Sequence, residues 1–110
     1  MKALTGVRLI DGRGGPPVDG ATVLVSGDRI DAAGRGDSVK VPEGVEVIEG
    51  RGMTLLPGLI DCHDHLASFG YDLAGRWGLT ERPSQRHLRI ASVLKETLRT
   101  GYTTLRDAGG

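Results

Sequence analysis

The chain has 110 residues, enough for one small domain or for part of a larger protein. Its 14 Lys and Arg balance 14 Asp and Glu, which removes the electrostatic case for nucleic acid or an anionic membrane as a partner. A single cysteine, Cys62, excludes an intrachain disulfide, and neither a signal-peptide core nor a run of about 20 apolar residues is present, so a cytoplasmic protein is expected.

In chain order, short strands are predicted at residues 7–10, 21–25, 29–33, 45–48 and 53–56. Each is closed by a turn signal: Asp11-Gly12, Gly27-Asp28, Gly34, Glu49-Gly50 and Pro57-Gly58. Gly27-Asp28 is a two-residue hairpin turn between alternating strands. The glycines and the Pro16-Pro17 pair make 13–20 a loop. The Gly-rich run 11–15 is not a phosphate loop, because it lacks the Lys-Ser/Thr ending and does not open a helix. These strands argue for a small all-β unit.

After Pro57 the rhythm changes. Residues 59–63 read as a short strand with little alternation, which suits a buried parallel strand. A long link over 67–83 carries Phe69, Tyr71, Arg76 and Trp77, and links of that length are often functional. Over 84–99, Leu88, Ala91, Leu94 and Leu98 recur at helical spacing, with charged residues between them. Pro83 and Ser84 mark the start of this helix and Gly101 its end. Residues 102–106 form a further strand. Strand, helix and strand together make a βαβ unit, the building block of a parallel sheet or barrel.

The chemistry-bearing feature is Asp61-Cys62-His63-Asp64-His65 at the end of the 59–63 strand. Residues at i and i+2 share a strand face, so His63 and His65 point the same way and form half of a metal site. A bare His-x-His is more often two ordinary histidines, and the apolar strand and the preceding Pro57-Gly58 favour a metal only together with the family resemblance given below. Asp61 reads equally well as an acceptor supporting a ligand or as a partner of a basic residue. Cys62 and Asp64 point away, Cys62 as a small buried hydrophobe and Asp64 as a structural hydrogen-bonder.

Three segments resemble the amidohydrolase superfamily of metal-dependent hydrolases. They are the hairpin 23–30, the stretch Leu56-Pro57-Gly58-Leu59-Ile60-Asp61-Cys62-His63-Asp64-His65, and Gly101-Tyr102-Thr103-Thr104-Leu105-Arg106-Asp107-Ala108-Gly109-Gly110. The third is similar to the branch of imidazolonepropionase-like enzymes and Xaa-Pro or Xaa-Arg dipeptidases. The resemblance implies an α/β fold: the start of a (β/α)8 TIM-type barrel over 57–110, preceded over 1–56 by the N-terminal half of a small β-sandwich. A full barrel takes roughly 250 residues, so it also implies an N-terminal fragment, inactive by itself.

The activity it implies is hydrolysis of an amide, cyclic amide or dipeptide C–N bond through a metal-activated water. His63 and His65 would hold one or two divalent ions, zinc foremost, with a small molecule or dipeptide as substrate. The general base and remaining ligands of the family fall outside this chain, so no catalytic residue is assigned within it. Full-length relatives of this kind often pair into homo-oligomers. Arg106, Asp107 and Tyr71 would lie near the substrate. For Arg106 and Asp107, an ion pair bracing the loop competes with that role, and for Tyr71 a packed loop does. Alternatives of other classes are a stand-alone, non-catalytic β-rich binding module and a deaminase of the same superfamily.

Overall fold

The computed structural model describes residues 1–67 and 81–109. They fall into two compact units, Met1–Pro57 and Gly58–Gly110.

In the first unit, β1 (Lys2–Leu9), β2 (Val18–Ser26), β3 (Arg29–Arg35), β4 (Glu46–Glu49) and β5 (Thr54–Leu55) form one sheet of order β3-β2-β1-β4, with β5 also paired to β1. The β1–β2 and β2–β3 pairs are antiparallel, while β4 and β5 lie parallel to β1. Gly27-Asp28 is the turn between β2 and β3, as its sequence predicts. On one face, Ala32, Leu24 and Ala3 stand in register across three strands. Val39, Val41 and Val45, from the segment between β3 and β4, pack over them. On the other face, Leu4, Leu9, Val23, Val25, Ile30 and Leu55 line an apolar groove of about 630 Å³.

β1 is longer than the alternation predicts, starting at Lys2 rather than at residue 7. Gly6 sits at a register shift between Leu4 and Val7. The bulge lets the strand continue, and Lys2–Leu4 gain ladder partners on both sides, Val23–Val25 and Glu46–Ile48, while Thr5 pairs with Glu49.

In the second unit, β6 (Leu59–Asp64) and β7 (Tyr102–Asp107) pair in parallel, and α1 (Pro83–Arg99) lies between them in sequence. Pro83 opens α1, where its missing N–H costs nothing. Gln85 Oε1 accepts the Arg82 amide at 3.1 Å, which satisfies a donor just ahead of the helix. Val93 faces the interior, and Leu88, Leu94 and Leu98 are exposed. Cys62 is exposed as well, against the expectation of a buried hydrophobe. The reason is that β6 and β7 form a two-stranded sheet whose faces lie open among the described residues. None of the described helices is long and apolar enough to cross a membrane.

The start of β6 depends on a close approach. A Cβ at Gly58 would overlap the Oγ1 and Cγ2 atoms of Thr103, which lies at a register shift of β7. The Gly58→Ala variant is therefore expected to lose about 1–3 kcal/mol of stability, the usual cost of overpacking. Thr103→Gly in the same chain, which also removes the Cβ of residue 103, should recover much of it, as denaturant unfolding of the four-member cycle would show. Equal losses with and without Thr103→Gly would exclude this clash as the cause.

Candidate metal-binding site

β6 and β7 run parallel, so their C-terminal ends lie side by side, with the Ala108 amide donating to the Asp64 carbonyl at 2.7 Å. His63 and His65 sit at this edge, where α/β proteins commonly place their chemistry. Their Nε2 atoms are 3.2 Å apart, and the rings meet edge-on at 65°. Two nitrogens bound ~2.0–2.1 Å from one tetrahedral ion stand about 3.3–3.4 Å apart. The observed separation is close to that, so the pair fits as two ligands of one divalent ion.

The second ring nitrogen of His65 is also engaged: Nδ1 lies 2.8 Å from the Gly109 carbonyl oxygen. A carbonyl only accepts, so Nδ1 carries the proton and Nε2 keeps a lone pair. An imidazole fixed this way by a backbone carbonyl is the usual arrangement behind a metal-binding histidine. Among the described residues, no group of three or more His, Cys, Asp and Glu side chains clusters as a complete metal site. The two imidazoles are thus a partial donor set.

Asp61 forms no ion pair with a basic residue among the described residues. Its Oδ1 accepts the backbone N–H of His63 at 3.0 Å. The β6–β7 register slips between Asp61 and Asp64, so the two histidines do not stand on a plain strand. The Asp61 carboxylate closes a two-residue turn around this bulge, and bulges of this kind re-aim side chains beside active sites. Asp64 Oδ1 accepts the His65 amide at 2.7 Å, a structural bond as expected.

Arg106 and Asp107 are not an ion pair among the described residues, so the bracing pair is not found. Asp107 Oδ1 instead accepts the Gly109 N–H at 3.0 Å, and successive side chains of β7 leave on opposite faces. Tyr71, Trp77, Arg76 and Phe69 lie outside the described residues. Gly109 is the residue that sequence reasoning missed. The signal for it was a glycine two residues past the end of a strand, where a special backbone angle is common.

Beyond His65, Glu81 lies against two arginines of α1. Its carboxylate receives a two-point bond from Arg89 (Nε at 2.7 Å and Nη2 at 2.8 Å) and a single bond from Arg86 Nε at 3.2 Å. The Arg89 hydrogen bonds, joined by Arg86, pull the Glu81 carboxyl from its ordinary 4.5 down to about 2, against burial. The same bonds raise the Arg89 pKa. A lowered carboxylate contributes stability that is present above pH 4.5 and is lost as pH falls towards 2. The wild-type chain should therefore lose its advantage over Glu81→Gln across that window in an acid-unfolding series. An advantage independent of pH would mean that the ion pairs contribute nothing.

No family model matches the chain. Over 94 residues it is 46% identical to the imidazolonepropionase of Rubrobacter xylanophilus, an alignment taking in 82% of this chain and 19% of that protein. The structure of molinate hydrolase superposes with a TM-score of 0.81 at 34% identity, covering 96% of this chain and 23% of that one. A prolidase complexed with N-methylphosphonate-L-proline superposes at 0.79 and 28% identity, covering 97% and 25%. The chain belongs to the amidohydrolase superfamily. This amidohydrolase chain spans about a fifth of the length of the curated relative it matches. What it shares with the solved amidohydrolases is a mixed α/β, strand-rich region, and the barrel itself is not contained in its 110 residues.

Proposed function

We propose that the chain is the N-terminal part of a metal-dependent amidohydrolase that cleaves an amide, cyclic amide or dipeptide C–N bond. His63 and His65 hold the metal, with zinc the favoured ion. The observation that carries this reading is the convergence of the two Nε2 atoms to 3.2 Å, with His65 Nδ1 tied to the Gly109 carbonyl. The names of the relatives, an imidazolonepropionase and a prolidase among them, favour a cyclic amide or an Xaa-Pro dipeptide as the substrate class.

A divalent ion at this edge supplies Lewis acidity towards a carbonyl and lowers the pKa of water to about 7. The chain's own residues do the holding and orienting. Asp61 fixes the bulge that aims His63, and Gly109 fixes the tautomer of His65. Arg106 and Asp107 end β7 beside this edge, and on this reading one of them meets substrate. On the same reading, the open groove of the first unit is the face on which the second sheet of a β-sandwich packs. Residues 57–110 are then the first βαβ portion of the barrel.

The test is metal analysis of the intact protein, joined to hydrolysis assays on imidazolone-type cyclic amides and Xaa-Pro dipeptides. Bound zinc, with turnover lost on chelation and restored by zinc, is the expected result. Protein free of metal and inert before and after zinc addition would overturn the assignment.

A further inference from the structure

Arg89 does more than pair with Glu81. Its Nη2 also donates to the backbone carbonyl of Ala67 at 2.8 Å. One planar guanidinium thus joins three places: α1, the second residue before α1, and the backbone two residues beyond His65. The Glu81 side chain is only 11% exposed and that of Arg89 24%. This sets the pair apart from the solvated Arg99–Glu96 pair on the same helix, whose side chains are 63% and 66% exposed. Arg89 Nη1 is buried and makes no hydrogen bond among the described residues. Among the described residues the guanidinium is held by its bonds to Glu81 and Ala67.

The geometry points to Arg89, held in place by Glu81, as a positioning residue for the two histidines. Anchoring the Ala67 carbonyl to the helix pins the chain where it leaves β6. The orientation of His65, and with it the convergence on His63, then depends on that pin. Only a fork of N–H groups does this, because a lysine ammonium has no planar pair of donors to hold a carboxylate and a carbonyl together. The inference deepens the metal-site reading and rests on it for its consequence, but not for its geometry.

The experiment uses the intact protein in wild-type, R89K, R89Q and R99Q forms. Ring nitrogen chemical shifts of histidine report the tautomer of His65, and competition titration reports zinc affinity. In wild type and R99Q, His65 is expected as the Nδ1–H tautomer. In R89K and R89Q the tautomers should mix, with zinc affinity lower by about 10–100-fold, the usual effect of losing support behind a ligand. R89K keeps the charge and serves as the second variant should R89Q fail to fold. Wild-type tautomer and affinity in R89K, with only a lower melting temperature, would overturn the inference and leave Arg89 a plain structural tie. A tautomer shift in R89K alongside a wild-type protein that binds no zinc would uphold the positioning role and sink the metal reading.

Discussion

Replacing His63 or His65 with alanine is expected to lower the zinc affinity of the intact protein by at least about 100-fold. Structural zinc sites with four ligands are held by roughly 10–16 kcal/mol, so one ligand accounts for about 2.5–4 kcal/mol. The two Nε2 atoms already stand at a separation suited to one ion, so losing either leaves the other too few partners. Both rings are exposed, so neither loss should change folding stability by more than ~0.5 kcal/mol. Cys62→Ala is the matched control, since Cys62 lies between the aspartate that sets the bulge and the first histidine and contributes no bond to either. Metal content and competition titration of the variants read the effect directly. A His63→Ala or His65→Ala protein that binds zinc as tightly as the wild type would remove these residues from the site.

The second large effect is expected at Gly109. Its φ is +121°, a region that L-residues rarely occupy, and a side chain there costs about 1–3 kcal/mol of backbone strain. The strain is relieved by turning the peptide, and the carbonyl that turns is the one accepting from His65 Nδ1. Gly109→Val should therefore lower zinc affinity by about 10–100-fold through the released imidazole. Ala108→Gly, one residue away, leaves the carbonyl where it is and should keep wild-type affinity. If Gly109→Val bound zinc normally, the carbonyl would not be what holds the ring.

The secondary structure was largely legible because most of its signals are local. The turn at Gly27-Asp28, the helical spacing of Leu88, Leu94 and Leu98, and the Pro83 start all act within a few residues. The strand-helix-strand order near the C-terminal end predicted the parallel pairing of β6 with β7, since a helical connection allows that and a hairpin does not. The full extent of β1 was not legible, because Lys2–Thr5 become a strand only through partners 19 or more residues away in sequence.

At the site, the amino-acid sequence by itself determined that two imidazoles would stand two residues apart at the end of a short strand. It also determined the likeness to metal-dependent hydrolases, through residues 56–65. Tertiary structure alone decided how those imidazoles are held. The bulge closed by Asp61, the Gly109 carbonyl behind His65 and the Arg89 bridge to Ala67 join residues 2, 44 and 22 positions apart. Even the nearest of these pairs follows from a slip in pairing with another strand. Periodicity records which face a side chain takes, whereas a hydrogen bond to a distant backbone carbonyl forms only once β7 and α1 have brought that carbonyl or guanidinium within reach.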